Sequence, residues 1–179
     1  MKRRIDIWSN AGEILSAVQN GVLLTSQAEG KTNSMVISWG SLGIEWGKPV
    51  FTAYVRANRF THGLLTVNPE FTVNMPMGIP DRRIMGICGS KSGRDMDKIA
   101  EAGLTLVEAE RISVPAIREF PLTLECRIIC AEKQNFALLP PAMQNRYYPQ
   151  HVDGSFVGSN RDAHTAFYGE IVDAYIIEH

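Results

Sequence analysis

Two short clusters in the first hundred residues carry the right groups to hold an anion. The first is Arg56-Ala57-Asn58-Arg59, followed by Thr61 and His62. A guanidinium presents paired N–H donors that match the oxygens of phosphate. Thr61 and His62 stand where a helix would open, and a helix N-terminus adds free backbone N–H groups and a favourable dipole. The second cluster is Ser92-Gly93-Arg94, followed by Lys98. Gly93 lets the backbone approach a ligand closely, and Lys98 supplies a charge. Ser92 serves equally as a helix cap. Taken alone, either cluster also reads as a solvated turn.

Other chemistries lack their residues. No Gly-x-Gly-x-x-Gly follows a strand, and Gly43–Lys48 has the wrong glycine spacing for a phosphate loop, with Pro49 where Ser or Thr is needed. There is no Gly-x-Ser-x-Gly nucleophile elbow, no His-Glu-x-x-His and no paired Cys-x-x-Cys. The histidines, His62, His151, His164 and His179, are scattered without metal-ligand spacing. Cys126 and Cys130 share one face of a strand at four-residue spacing, which predicts two small buried hydrophobes. No metal site and no protein acid or base is therefore assigned.

The elements that must position these clusters are mostly strands. Gly21–Gln27, Ser34–Trp39, Val50–Val55, Glu70–Asn74, Leu122–Ala131 and Phe167–Ile177 are rich in apolar, β-branched and aromatic residues, with Gly, Pro and Asn between them. Short helices are predicted at Ile14–Val18 with Asn10 as cap, Thr61–Val67, Pro80–Cys88 and Met96–Ala102, which ends at Gly103. Leu138–Pro149 is proline-rich and reads as a loop. Many strands with few short helices predict a mainly β fold, a β-barrel with helical excursions, over a doubly wound sheet.

Composition limits the remaining options. The 179 residues fit one domain, here residues 1–179, with 45% hydrophobic and 21% charged residues. A net charge of −1 gives no basic field for nucleic acid, and Lys2-Arg3-Arg4 reads as a solvated end. No apolar run approaches the roughly 20 residues that span a bilayer. With no signal-like apolar core near Met1 and three unpaired-looking cysteines, the expectation is a cytoplasmic protein without a membrane partner.

Taken in order, several segments resemble one family. These are Val22–Thr25 with Thr32-Asn33-Ser34-Met35-Val36-Ile37-Ser38-Trp39, then Arg56–Thr61, Phe71–Pro76, Cys88–Lys98, Pro115–Ile117 and Leu124–Cys126. Together they resemble the flavin reductase-like proteins, flavoredoxins included, over about residues 18 to 178. The resemblance implies an FMN-binding split β-barrel and FMN at a homodimer interface. It implies a flavin edge along Asn33, Ser34, Met35, Val36, Ile37, Ser38 and Trp39, with Ser38 bonding the ring and Trp39 either flanking it or packing in the core or a dimer contact. It further implies phosphate and ribityl contacts from Arg56, Arg59, Thr61, Ser92, Gly93 and Lys98. On sequence grounds Arg59 outweighs Lys98 there, because lysine is a flexible point charge. Pro140–Gly158, with Tyr147, Tyr148 and His151, reads either as a cover for a substrate pocket or as a surface excursion. The implied activity is reduction of FMN by NADH or NADPH, with a flavoredoxin-like electron carrier served by a redox partner protein, or a flavin-free binding module, as the alternatives.

Overall fold

The computed structural model describes residues 1–154 and 156–178, so that His179 lies outside it. The strands are β1 (Lys2–Arg4), β2 (Val22–Ala28), β3 (Lys31–Ile37), β4 (Gly40–Glu45), β5 (Lys48–Arg56), β6 (Glu70–Met75), β7 (Leu106–Val107), β8 (Ala116–Ile117), β9 (Leu122–Lys133) and β10 (His164–Ile177). The helices are α1 (Ala11–Asn20), α2 (Phe60–Val67), α3 (Arg82–Ser90), α4 (Lys98–Ala102) and α5 (Pro141–Tyr147).

One antiparallel sheet carries most of the chain, in the order β3-β2-β6-β9-β10-β5-β4, with β1 added on β10. Its two outermost strands, β3 and β4, are consecutive in sequence and joined only by Ser38-Trp39. The sheet therefore curls until its first and last strands nearly meet, which leaves a barrel split along one seam. This is the mainly β barrel with short helices that the sequence predicts.

The barrel interior holds Leu24, Phe51, Phe71, Val73, Leu124 and Phe167, all essentially without solvent contact. Each such side chain contributes about 1.5–3 kcal/mol by its burial. Successive strand residues point to opposite faces, so Leu23 leaves the interior and packs outside with Ile84, Cys88, Leu104 and Phe120. That second cluster clamps α3 and α4 against β2. Asp81 and Asp97 accept backbone N–H groups at the starts of these helices, and Gly103 ends α4 in a left-handed conformation.

Several expectations are corrected. Ser38 and Trp39 lie beyond the end of β3, because the chain must turn there into β4, which the sequence reading missed. Gly43–Lys48 forms a hairpin with Trp46 and Gly47 at φ values of 50° and 70°, as a tight primed turn requires. Asn10 makes no capping bond to α1. Part of Leu138–Pro149 is helical, because Pro140-Pro141 pre-sets the first turn of α5. Cys126 is buried but Cys130 is exposed. Gly169 pairs with Ile128 and Tyr168 with Cys130, so Ile129 is an extra residue that reverses the alternation of β9 between the two cysteines.

Candidate functional site

β3, the start of α2, and the segment joining α3 to α4 converge on the seam side of the barrel. They enclose a cavity of about 400 Å³ lined by Asn33, Met35, Arg59, Thr61, Ser92, Gly93 and Lys98, with Phe60, Gly158 and Asn160. Met35, Arg59 and Gly89 also border a second cavity of about 260 Å³, completed by Val36, Ile37, Ser38, Trp39, Tyr54, Arg56 and His164. Ser38, Trp39 and Tyr54 then lead into a third, more apolar space of about 540 Å³ against Leu15, Leu139, Met143, Tyr147 and Tyr148. The three form one groove with distinct chemistry along its length.

The first cavity is the cationic end. Lys98 is only 3% exposed, and its ammonium donates to the carbonyls of Cys88 at 3.0 Å and Lys91 at 3.3 Å. Among the described residues it has no carboxylate within ion-pair distance. Burial pulls its pKa down to about 8, Cys88 opposes this, and the charge of Arg59 adds to it. A buried cation is costly unless an anion compensates it. Arg59 is held beside it, donating to Asn58 Oδ1 at 3.0 Å and Asn160 Oδ1 at 2.9 Å. Thr61 Oγ1 accepts from Asn33 Nδ2 at 2.8 Å, while Asn33 Oδ1 is buried without a partner among the described residues. A side chain at Gly93 would collide with the Asn33 amide and the Phe60 ring, so glycine keeps this wall closed. Ser92 does not cap α4. Its hydroxyl accepts from Arg94 N at 3.2 Å and braces the loop.

Arg56 occupies a different place from Arg59. It is 7% exposed and donates to the carbonyls of Tyr147 at 2.7 Å, Asn160 at 2.9 Å and Asp162 at 2.7 Å. Its guanidinium also lies 4.9 Å from the centre of the Tyr148 ring. These contacts fasten the 134–163 excursion to the barrel. Asn160, in a left-handed conformation that asparagine tolerates, contacts both arginines and sets their spacing.

The second cavity has aromatic walls. Trp39 is 41% exposed and packs edge-on to Tyr147 at 5.3 Å and against His164 at 5.0 Å. His164 Nδ1 lies 2.8 Å from Tyr148 Oη, and burial, with the Arg56 charge, pushes the imidazole pKa down to about 4.

The structure thus brings together Asn33, Met35, Val36, Ile37, Ser38, Trp39, Arg56, Arg59, Thr61, Ser92, Gly93 and Lys98. Ser34 is apart from them: its hydroxyl is buried 2.5 Å from Thr25 Oγ1, on the opposite side of β3. Tyr147 and Tyr148 reach the groove, whereas His151 is exposed and lines none of the three cavities. Sequence reasoning missed His164, Tyr54 and Asn160. His164 sits opposite Arg56 in the β10–β5 register at the start of the last strand, a pairing that spacing along the chain does not reveal. Among the described residues no group of His, Cys, Asp and Glu is placed to hold a metal ion. No described helix is long and apolar enough to cross a membrane.

A family model described as a flavin reductase like domain matches residues 16–179. An uncharacterised protein of Archaeoglobus fulgidus is 31% identical over 107 residues, which are 60% of this chain and 59% of that protein. The match therefore spans about three-fifths of that relative's length. A flavoredoxin from Methanosarcina acetivorans has a similar structure, with 26% identity and a TM-score of 0.62, over 88% of this chain and 68% of that one. An FMN-binding domain of a flavin reductases-like enzyme from Shewanella baltica shares the fold at 16% identity and a TM-score of 0.64, over 98% of this chain and 77% of that one.

Proposed function

The chain belongs to the flavin reductase-like family, and from that premise we propose that its groove holds FMN, which the protein reduces with NADH or NADPH. The observation that carries this reading is the buried ammonium of Lys98, which has no carboxylate partner among the described residues and stands next to Arg59 at the closed end of an otherwise aromatic groove. A phosphate would supply the missing anion. Lys98, Arg59, Thr61 and the N–H groups opening α2 would hold it, with Ser92 and Gly93 as the wall. The orphaned Asn33 Oδ1 is an acceptor in need of a donor, which a ribityl hydroxyl would provide.

The ring end fits as well. Among the described residues β3 pairs with β2 alone, so its outer edge keeps alternating backbone donors and acceptors available to a flat heterocycle. Ser38 and Trp39 stand at the seam, and Trp39 supplies an apolar flank. When bound, FMN supplies a two-electron acceptor for hydride. The protein's own part is to orient the reactants and exclude water. Leu139, Met143 and Tyr147 form an apolar wall on the side where a hydride donor would stand. With His164 neutral at pH 7, no side chain is assigned as general acid or base.

The test is anaerobic mixing of the flavin-loaded protein with NADH and, separately, NADPH. Loss of the oxidised-flavin absorbance with at least one is expected, and an unchanged spectrum with both would sink the reductase reading. The likeness to a flavoredoxin supports a second reading, an electron carrier reduced by a protein partner. Tight yellow protein that ignores both nicotinamides would favour it. Colourless protein that fails to quench FMN fluorescence would leave the flavin-free module. Exposed Ile44 and Trp46, with Trp46 packed 5.9 Å from Tyr168, support a homodimer contact on that face. We place the protein in the cytoplasm.

FMN affinity should depend on pH through Lys98. In the flavin-free fold this group releases its proton near pH 8, against 10.5 ordinarily. Phosphate favours the charged form, so affinity is expected to be flat between about pH 7 and 8 and to fall by up to about tenfold per pH unit above that. The same shift has the opposite sign for folding. Between pH 8 and 10.5 the unfolded chain binds more protons at this position, so its contribution to flavin-free stability rises with pH. Fluorescence titrations of FMN at pH 7, 8 and 9 check the first effect, and a constant Kd would remove Lys98 from the phosphate site.

A further inference from the structure

Among the described residues His164 is the one histidine lining the groove, and its contacts bear on which ring nitrogen carries the proton. Nδ1 is 2.8 Å from Tyr148 Oη. Among the described residues Tyr148 Oη has no other hydrogen-bond partner, and Nε2 of His164 has none at all. A phenol hydrogen must go somewhere when the group is buried, and Tyr148 is only 5% exposed. The available acceptor is Nδ1. The imidazole proton then sits on Nε2, the nitrogen without a protein partner, on a residue that lines the cavity under Trp39.

Tyr148 is itself held from three sides. Phe136 stacks on its ring at 4.8 Å and 9°, Arg56 lies over it at 4.9 Å, and Arg56 also binds the preceding carbonyl, that of Tyr147. The same Arg56 charge, with burial, keeps His164 neutral.

We propose that Tyr148 is a positioning residue that locks His164 as the Nε2–H tautomer, so that the ring cavity presents one fixed, uncharged hydrogen-bond donor to a carbonyl oxygen of the ligand bound there. This rests on the flavin-site reading for the ligand's identity, but not for the tautomer. The carbonyl belongs either to the pyrimidine end of the flavin or to the carboxamide of the nicotinamide. A fixed neutral donor also disfavours a cationic group at that point, because it offers no acceptor.

The test begins with ¹⁵N-labelled, flavin-free protein, with the His164 signals assigned by their loss in His164→Gln. Long-range ¹H–¹⁵N correlation is expected to show Nδ1 unprotonated and Nε2 protonated at pH 7. In Tyr148→Phe, which keeps the ring stack and loses only the hydroxyl, the two nitrogens should move towards an average of both tautomers. A wild-type spectrum with the proton on Nδ1 overturns the proposal without need of any variant. So does an unchanged tautomer in Tyr148→Phe. The ligand arm compares this variant with wild type for FMN Kd and for the KM and kcat of nicotinamide oxidation. A loss of about two- to tenfold in FMN affinity assigns the carbonyl to the flavin, and a similar rise in KM with kcat little changed assigns it to the nicotinamide. No change in either overturns the ligand-facing half. If wild-type protein binds no FMN, the flavin reading falls, while the tautomer measurement still decides the role of Tyr148.

Discussion

Lys98→Met is expected to weaken FMN binding by about 2–3 kcal/mol, roughly thirty- to a hundred-and-fiftyfold in Kd, while leaving the flavin-free protein as stable as before or more stable. The two halves come from one cause. Lys98 is a buried cation with two carbonyl acceptors and no carboxylate among the described residues, so flavin-free protein bears much of its desolvation cost. Methionine keeps the apolar stem packed and removes the charge. When phosphate arrives, the wild-type ammonium gains the anion it lacks, and the variant does not. The sequence alone ranks Arg59 above Lys98 because an exposed lysine is a flexible point charge. Burial reverses that order, since the stem of Lys98 is already fixed and Arg59 shares its donors with Asn58 and Asn160. Flavin fluorescence quenching and urea denaturation of the flavin-free protein measure the two effects. If stability falls sharply and affinity does not, Lys98 is a structural clamp between Cys88 and Lys91, not a phosphate ligand.

Arg56→Ala is expected to act mainly on folding, with a loss of about 3 kcal/mol. The change leaves three carbonyls, those of Tyr147, Asn160 and Asp162, without their charged donor, and removes the cation above Tyr148. Arg56→Lys should recover little, because an ammonium lacks the planar fork that reaches all three. The excursion after β9 is fastened chiefly at this point, so limited proteolysis should open between residues 147 and 162 in the alanine variant before the barrel unfolds. An unchanged urea midpoint with a large loss of FMN affinity would instead return Arg56 to the direct phosphate role implied by the sequence resemblance.

Much of the groove was legible because its parts are local. Arg59 and Thr61 open α2, and Gly93 and Lys98 flank one loop, so spacing along the chain approximates spacing in the fold. β3 was legible as a strand but not as an edge, because its place in the sheet depends on pairings tens of residues away. The sequence reading therefore places Ser34 with Asn33 and Met35. Period-two alternation alone separates them, and the buried Thr25 hydroxyl opposite Ser34 shows which face is which. Cys130 shows a harder limit. The extra residue at Ile129 leaves no mark in a run as uniformly apolar as Ile128-Ile129-Cys130-Ala131. His164 was missed for a third reason. Its neighbours Trp39, Arg56 and Tyr148 come from three separate segments, and only the β10–β5 register brings them together.

The central placement of β10 has a kinetic consequence. This last strand pairs with β9, with β5 and with β1, which lies at the other end of the sequence. Lys2 opposes Ile177, a contact that closes nearly the whole chain into a loop. Such non-local pairings must absorb the entropy of loop closure before they return any stability, and sheets built on them fold in milliseconds to seconds, not microseconds. His164 rides on the first residue of that strand. The cationic pocket, built from residues 33 to 98 with Gly158 and Asn160 added, can take shape around β3, α2 and α4 early, whereas the aromatic end waits for the slowest docking event. A nascent or refolding chain would thus assemble the cationic end of the groove before the aromatic end, an order set by strand topology.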